Sequence, residues 1–308
     1  MRVLIVGAGV IGSVYAGRLL AAGHAVTLCA RGHRLAELEE SGLILEDAQT
    51  GQRVCHEVAV VRPSDAVGLG CDLTLVAVQR DQMITTVPLL QTLGADVLFF
   101  GNAAGLVIAL TEATGPRALF GFPAAAGIRD GTAVRFVLIH QQKTMLADPG
   151  HPRSARVMVL AKLFRTAGFP TTVAADADGW LTAHAAFIVP IAFALYRVGV
   201  QSHRLANDEQ LLRTMVAATR QAFGALLAAG NTEIPGNLHW LYLRLPERFA
   251  MYYWRHVLSG PRGELWFAAH TRSAPEEMAS LAYALRSAID RAGHPAPALD
   301  SLLAGRQP

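Results

Sequence analysis

Short apolar runs and amphipathic stretches alternate through the first half of the chain. Runs such as RVLIV, AVTLC, LTLVAV and VLFF are rich in branched and aromatic residues, which is typical of buried strands. The stretches between them, such as SVYAGRLLAAG and HRLAELEESG, repeat apolar residues every three or four positions, as helices packed on a sheet do. The alternation predicts a mostly parallel, doubly wound sheet with helices on both faces. Within it, GLILED and RVCHEVAVV are predicted to form a pair of strands.

The second half of the chain has helical periodicity instead. From about residue 176 the short β-rich runs stop, and four long amphipathic stretches follow, each closed by Gly or Pro. They are WLTAHAAFIVPIAFALYRVG, DEQLLRTMVAATRQAFGALLAAG, LHWLYLRLPERFAMYYWRHVL and PEEMASLAYALRSAIDRAG. The change near FPTTVAADADG predicts two domains, an α/β domain over residues 1–174 and an all-α domain over residues 175–308.

Composition narrows the class of protein. With 308 residues, 52% hydrophobic and 17% charged, the chain is long enough for two well-buried cores. The net charge is +3 and the Lys and Arg residues are scattered, which favours small anionic ligands and argues against a nucleic-acid partner. Cys29, Cys55 and Cys71 lack metal-ligand spacing, so we expect reduced thiols in a cytoplasmic protein, no disulfide and no metal. The apolar run AAFIVPIAFAL is shorter than the roughly 20 residues of a bilayer span, so we expect a core helix and no membrane partner.

The motif GAGVIG lies directly after the first predicted strand and before an amphipathic helix. Gly7, Gly9 and Gly12 have the GxGxxG spacing that permits a tight turn, close approach of a pyrophosphate, and packing of the helix on the strand. Val10 and Ile11 open the helix whose N-terminus attracts the phosphates. We therefore predict a dinucleotide-binding Rossmann domain; the alternative is a glycine turn that binds no ligand.

The choice of cofactor is predicted from the end of the second strand. NAD-binding proteins place a carboxylate there, about 20 residues after the glycines, on the ribose 2′-hydroxyl. This chain has TLCARGHR instead, in which Arg31, with His33 and Arg34 nearby, is suited to a 2′-phosphate. The residues therefore favour NADP(H), unless Arg31 is an ordinary surface arginine.

Several segments together resemble the ketopantoate reductase family (2-dehydropantoate 2-reductases). They are GAGVIGSVYAGRLLAAGHAVTLCARG, VAVQRDQ, FFGNAAG, GFPAAAGIRDGTA and the closing EEMASLAYALRSAIDRAGHPAPALDSLL. The resemblance is strong over the first 130 residues and looser afterwards. It implies a Rossmann domain followed by an all-helical domain, with NADPH and substrate in the cleft between them, and reduction of a 2-keto acid by hydride transfer.

The resemblance also implies roles for particular residues, with two departures. Besides the glycines and Arg31, Asn102 matches the family's asparagine near the nicotinamide, and Glu277 falls where the family has a substrate-side glutamate. Gln79 stands where the family has a lysine near the cofactor. The family's catalytic lysine, which opens the first helix of the second domain, aligns with Leu181 or Thr182, and neither side chain is an ammonium.

His184 is the titratable residue nearest to the missing lysine. An imidazole with an ordinary pKa near 6.5 suits proton donation at neutral pH, and His184 shares a helical stripe with Trp180 and Ile188. We predict that His184 takes over as an imidazolium proton donor. The alternative is a histidine packed in the core.

Other side chains are weaker candidates. Tyr196 and Tyr242 are expected to be core aromatics or, less readily, acids. His270 lies two helical turns before Glu277 and either shares its site or lies in a loop; Glu277 is also suited to stabilising the first turn of a helix. Arg80 is expected to bind a substrate carboxylate, line the cofactor channel or be a solvated charge.

These expectations combine into one hypothesis. The protein is an NADPH-dependent reductase of a small carbonyl or imine substrate other than ketopantoate, with His184, Asn102 and Glu277 in the catalytic site. The alternative is a dinucleotide-binding protein of this fold that has no redox turnover. The MYYW run over residues 251–254 is expected to be either core or the face of a homodimer formed through the helical domain.

Overall fold

The protein divides into two compact units in this computed structural model, which describes residues 1–139 and 141–304. The N-terminal unit is Met1–Ala177 and the helical unit is Asp178–Pro308, so the predicted boundary after residue 174 lies slightly earlier in the chain. The two units are described separately.

The N-terminal unit contains the strands. They are β1 (Arg2–Val6), β2 (Ala25–Cys29), β3 (Leu43–Asp47), β4 (Arg53–His56), β5 (Ala59–Val61), β6 (Leu73–Val76), β7 (Asp96–Phe100), β8 (Ala118–Phe122), β9 (Ala125–Asp130), β10 (Ala133–Leu138), β11 (Thr144–Ala147) and β12 (Thr171–Val173). Its helices are α1 (Val10–Ala21), α2 (Gly32–Ser41), α3 (Arg80–Met83), α4 (Val87–Gln91), α5 (Val107–Thr114) and α6 (Ala155–Thr166), with 3-10 turns at Ile84–Thr86 and Gly115–Arg117.

Eight strands form the main sheet in the order β12-β11-β8-β7-β6-β1-β2-β5. Strand β11 runs antiparallel to β8, and the other neighbouring pairs are parallel. The predicted mostly parallel, doubly wound sheet is therefore confirmed. Strand β1 lies between β2 and β6, so the order of strands along the chain reverses at β1, which is where such sheets bind ligands.

A second sheet changes one prediction. RVCHEVAVV does not continue as one partner of GLILED; it divides into β4 and β5, which join different sheets. Strand β4 pairs antiparallel with β3 in a four-stranded sheet of order β4-β3-β10-β9, whereas β5 extends the main sheet beside β2. The apolar pattern could not show this division, because the partners of a strand are set by residues distant in the chain.

Tyr15 lies at the centre of the core beneath the main sheet. Its ring contacts three buried phenylalanines: Phe100, Phe164 and Phe169. Its hydroxyl lies 2.6 Å from Thr144 Oγ1 and accepts a hydrogen bond of 3.1 Å from the backbone N–H of Ala124. This one side chain therefore joins helix α1 to β11 and to the segment between β8 and β9.

The helical unit is built from α7 (Ala177–Arg197), α8 (Ser202–Asn207), α9 (Glu209–Ala228), α10 (Gly236–His239), α11 (Glu247–Ser259), α12 (Pro261–Gly263), α13 (Ala269–Ser273), α14 (Pro275–Ala292) and α15 (Pro297–Leu303). Two π-helical segments, Trp240–Arg244 and Glu264–Ala268, lie between them. The stretch LHWLYLRLPERF was expected to be continuous, but it breaks at Leu245, whose backbone is extended (φ −88°, ψ 151°). Pro246 explains the break, because proline disfavours a helical residue before it.

Helix α7 is the core helix of this unit. Within the described residues it is the one helix long and apolar enough to cross a bilayer, yet 83% of its most apolar window is buried inside the protein. The expected core helix is therefore confirmed. The MYYW run fits each expectation in part. Trp254 is buried, as a core residue would be, whereas Tyr252 on α11 is 76% exposed. The homodimer through this unit stays a prediction.

The Tyr15 hydroxyl predicts a measurable stability effect. Tyr15→Phe leaves the buried Thr144 hydroxyl and the Ala124 N–H without this partner, so the free energy of unfolding should fall by about 1–3 kcal/mol. Urea unfolding followed by circular dichroism measures it, since all four tryptophans lie in the helical unit and report mainly on that unit. Tyr283→Phe, at a ring that is 78% exposed, is the matched control and should change the value by less than about 0.5 kcal/mol. Equal effects of the two variants would contradict the assignment.

Candidate active site

The glycine turn between β1 and α1 is shaped by the protein's own packing at two positions. Gly7 has φ +105°, a conformation that L side chains rarely adopt, and a Cβ there would overlap the carbonyl of Ala77. A Cβ on Gly12 would overlap the carbonyl oxygen of Gly7. Helix α1 therefore begins directly against the end of β1, as the GxGxxG spacing predicts.

Gly9 differs from the other two glycines. Its backbone is extended (φ −73°, ψ −166°), which any residue adopts, and a Cβ built on it meets no atom within 4 Å. Neither strain nor packing therefore requires glycine here, and the space beside it is open to an external group. The following residues, Val10 and Ile11, supply helix N-terminal N–H groups that have no acceptor within the helix, and the first turn of α1 contains no acidic residue. This cradle fits the pyrophosphate of a dinucleotide.

The other predicted cofactor residues lie at the same edge of the sheet. Gly7 follows β1, Arg31 follows β2, Gln79 follows β6 and Asn102 follows β7. These four strands are consecutive parallel neighbours, so their carboxyl ends share one edge. The structure thus places all four residues around the point where strand order reverses, where a dinucleotide is expected.

The buried side chain of Arg80 holds the loop after β7 at this sheet edge by hydrogen bonds. The guanidinium is only 5% exposed, and Nη1 donates to the carbonyl oxygens of Ala104, at 2.6 Å, and Asn102, at 3.4 Å. Arg80 is therefore not the solvated charge that was one alternative. It fixes the loop that carries Asn102, whereas Gln79 beside it is exposed and precedes the first turn of α3.

The two arginines after β2 have different environments. Arg34 is buried: Nε donates to the carbonyl of Ala8 at 3.1 Å, Nη2 to Ser13 Oγ at 3.2 Å and Nη1 to Glu37 at 3.1 Å. It therefore holds the glycine turn in place and is not free to bind a 2′-phosphate, which corrects the expectation for Arg34. Arg31, by contrast, is exposed at the N-terminus of α2.

Glu37 completes this structural cluster. Its carboxylate also accepts hydrogen bonds from Arg129, at 2.8 and 2.9 Å, and lies 2.9 Å from Nδ1 of His33. Burial alone would raise the pKa of Glu37, but the hydrogen bond from Arg34 and the charges of Arg129, Arg34 and His33 outweigh it and hold that pKa below its ordinary value. Because the folded pKa is lowered, the ionised carboxylate stabilises the fold above pH 4.5 and this contribution is lost as the pH falls further.

In the helical unit, His184 is held between aromatic rings. The ring of Trp180 stacks on it, with centroids 5.5 Å apart and planes 3° from parallel, and Phe187 meets it edge-on at 6.0 Å. Burial, reinforced by the charge of His270 and only partly opposed by that of Glu277, lowers the pKa of His184 to about 3. The imidazole is therefore neutral at neutral pH, which corrects the expectation of an imidazolium donor. A neutral ring can still donate one N–H hydrogen bond to a substrate oxygen.

His270 and Glu277 form a pair beside His184. His270 Nε2 lies 3.3 Å from Glu277 Oε1; the carboxylate side chain is 5% exposed and the imidazole 40%. His270 belongs to helix α13, not to a loop, and Glu277 lies in the first turn of α14, where an acidic side chain stabilises a helix; its role beside the substrate stays a prediction. The structure therefore brings together three titratable residues that come from three helices.

Two tyrosines are the remaining acid candidates, and both keep the phenolic proton at neutral pH. Tyr196 donates its hydroxyl to the carbonyl of Thr271 at 3.0 Å, and burial raises its pKa to about 12. Burial also raises the pKa of Tyr242, which is fully buried. Leu181 and Thr182, which align with the family's lysine, are both buried on α7.

The small number of lysines is a feature of the sequence that the sequence analysis did not use. The chain has two lysines, Lys143 and Lys162, and both lie in the N-terminal unit. No lysine from elsewhere in the helical unit can therefore replace the missing one. In the described ranges 1–139 and 141–304, no cluster of three or more His, Cys, Asp or Glu side chains could hold a metal ion.

The N-terminal unit carries a mostly parallel sheet with a glycine turn at its reversal point, and an all-helical unit follows it in the chain. Residues 3–148 match the family model described as Ketopantoate reductase PanE/ApbA, and this confirms the resemblance to that family. No curated protein matches the chain in sequence.

Solved structures share the fold over the whole chain. A PanE/ApbA family ketopantoate reductase from Ralstonia eutropha JMP134 is 23% identical, with a TM-score of 0.75 over 98% of this chain and 96% of its own. The 2-dehydropantoate 2-reductase from Geobacter metallireducens GS-15 is 17% identical, with a TM-score of 0.76 over 98% and 97%. D-mandelate dehydrogenase, solved with NADH and anilino(oxo)acetate, is 16% identical, with a TM-score of 0.76 over 98% and 96%. The predicted order, a Rossmann domain and then an all-α domain, is confirmed.

Because the space beside Gly9 is open, a side chain added there should weaken cofactor binding without preventing folding. Gly9→Val should leave the fold intact, at a cost of about 1 kcal/mol for the changed helix cap, and weaken NADPH binding at least about 100-fold. NADPH fluorescence titration and thermal unfolding measure the two effects. The contrasting variant is Gly12→Ala, which should fail to fold stably because its Cβ overlaps Gly7. A folded Gly9→Val protein with unchanged NADPH affinity would show that the motif is only a turn.

Proposed function

We propose that the protein is an NADPH-dependent reductase that transfers a hydride to a small carbonyl or imine substrate other than ketopantoate. The observation that carries the reductase assignment is the pyrophosphate cradle at Gly9, at the same sheet edge as Asn102. The exclusion of ketopantoate rests on α7, where Leu181 and Thr182 stand in place of the family's catalytic lysine.

The preference for NADPH is supported by the charges after β2. The first carboxylate after that strand is Glu37, and its oxygens are engaged by Arg34 and Arg129, so it is not available to a ribose hydroxyl. Arg31 is exposed and lies at the same sheet edge as the glycine turn. Its forked guanidinium suits a 2′-phosphate there. The fold also accommodates NADH, since D-mandelate dehydrogenase was solved with that cofactor.

Each candidate side chain has a distinct task in the proposed reaction. Bound NADPH supplies the hydride. Asn102 orients the reacting groups, and His184 donates a neutral N–H to the substrate oxygen, on which charge develops. Glu277, paired with His270, manages the proton that the oxygen or nitrogen needs after reduction. A positioned acid contributes about 10²–10⁴ in rate, roughly 3–5 kcal/mol of barrier, which the missing lysine no longer supplies.

A second candidate function is a dinucleotide-binding protein without redox turnover. It is favoured by one observation, the complete absence of lysine from the helical unit. A panel of 2-oxo acids, aldehydes and imines incubated with NADPH distinguishes the two. Oxidation of NADPH by any member supports the reductase, and tight NADPH binding with no turnover across the panel supports the binding protein.

Cofactor selectivity is the first expected outcome. The unmodified protein should bind NADPH at least about tenfold more tightly than NADH, on the order of 1.4 kcal/mol, because Arg31 pairs with the 2′-phosphate. Arg31→Asp should narrow or reverse the ratio, whereas Arg53→Asp, the same charge change on exposed strand β4, should leave it unchanged. Isothermal titration with both cofactors measures the ratio. Equal affinities in the unmodified protein would refute the NADPH preference.

The role of His184 gives the second expected outcome. His184→Ala should lower kcat on the best panel substrate by about 10²-fold or more, with little change in NADPH affinity, because the cofactor is assigned to the other unit. His184→Asn keeps an N–H donor without a titrating ring, so it should retain more activity than His184→Ala. Ketopantoate turnover should be weak or undetectable.

Two results would count against this role of His184. Efficient reduction of ketopantoate by the unmodified protein refutes the substrate assignment. A fully active His184→Ala protein identifies the histidine as a packing residue of the core.

A further inference from the structure

His270 is the one member of the His184–His270–Glu277 cluster with substantial contact to water. Its side chain is 40% exposed, whereas Glu277 and His184 are 5% and 7% exposed. The 3.3 Å separation between His270 Nε2 and Glu277 Oε1 is close enough for a proton to be shared. A proton that reaches the buried carboxylate from solvent therefore has a direct route through His270.

Hydrogen bonds hold the two residues that directly follow His270. Tyr196, on α7, donates to the carbonyl of the next residue, Thr271, at 3.0 Å. Arg272 donates to the carbonyl of Val200 at 3.2 Å. These hydrogen bonds tie the short helix α13 to the end of α7 and to the turn after it.

The turn that receives Arg272 is strained. Val200 has φ 58°, in the left-handed region that β-branched residues avoid, at a cost of about 1–2 kcal/mol. Its N–H is bonded to the carbonyl of Leu195 at 2.8 Å, so the conformation is fixed from both ends. The structure maintains this strain where it anchors α13, the helix that carries His270.

The charges in the cluster assign a different role to each histidine. The charges of His270 and Glu277 act on His184, and the rings of Trp180 and Phe187 that contact its imidazole are uncharged. Because burial keeps His184 neutral, it holds no surplus proton at neutral pH. The His270–Glu277 pair is then the part of the cluster that can take up a proton from water and hold it beside the buried histidine.

We propose that His270 is a positioning residue that supplies protons: it takes a proton from solvent and passes it to Glu277, which delivers it to the reduced substrate. This inference rests on the proposed reductase function. The hydride from NADPH carries two electrons to the carbonyl or imine carbon, and the C=O or C=N π bond breaks. Glu277 gives its proton to the resulting oxygen or nitrogen anion, His270 returns a proton to Glu277, and water reprotonates His270. One solvent proton is consumed for each NADPH oxidised.

The kinetic test uses His270→Gln in the full-length protein. Glutamine keeps an N–H donor for Glu277 but cannot exchange a proton in this pH range. On the best panel substrate, kcat at neutral pH should fall at least about tenfold, with KM and the NADPH Kd within about twofold. The pH dependence of kcat in the unmodified protein should be changed in His270→Gln. His203→Gln, an exposed histidine on α8, is the matched control and should reproduce the unmodified profile.

A second measurement is independent of turnover. In ¹⁵N-histidine NMR spectra of the full chain, the imidazole resonances of His184 should shift in both His270→Gln and Glu277→Gln, and not in His203→Gln. Unshifted His184 resonances, or a pH profile that His270→Gln leaves unchanged, overturn the proposal, the latter while the reductase assignment stands. Absence of turnover across the whole panel, with NADPH bound, instead refutes the reductase itself and with it the proton route.

Discussion

The start of α1 against the end of β1 is the contact on which the site in the N-terminal unit depends. A Cβ on Gly12 would overlap the Gly7 carbonyl and a Cβ on Gly7 would overlap the Ala77 carbonyl, so neither position has room for a side chain, and this close packing aims the helix N-terminus at the reversal point of the sheet. The buried guanidinium of Arg34 then fixes the turn by bonding Ala8 and Ser13, and Glu37 keeps that guanidinium in place. A buried pair of this kind is costly to break from one side, about 3–5 kcal/mol, so the geometry of the turn is set before any ligand arrives.

Most of the fold could be predicted from the chain because local patterns dominate it. The apolar runs, the glycine spacing and the change of periodicity near residue 176 gave the sheet, the turn and the helical unit, and the structure confirms that order. The prediction was wrong where partners are distant. The segment RVCHEVAVV divides into β4 and β5, which join separate sheets, and Pro246 ends a helix that periodicity alone would continue.

The candidate site was only partly accessible from sequence. Spacing predicted the positions of Gly7 and Arg31, and the family resemblance that of Asn102; all three lie at one sheet edge, since each follows a parallel strand. Spacing could not show that Arg34 is buried and engaged, nor that desolvation keeps His184 neutral, because both depend on tertiary packing. Under the proposed function this is a change of acid: a half-buried histidine and a buried carboxylate stand beside a neutral imidazole, in a unit that contains no lysine.

The central claim, that the protein transfers a hydride without a lysine acid, is tested most directly with NADPH deuterated at each face of C4 in turn. After incubation with the substrate panel, mass spectrometry of the products locates the label. The account predicts deuterium on the former carbonyl or imine carbon of one product class, from one face of the cofactor, and a second hydrogen derived from solvent. Bound NADPH that retains its label with every member of the panel would contradict it.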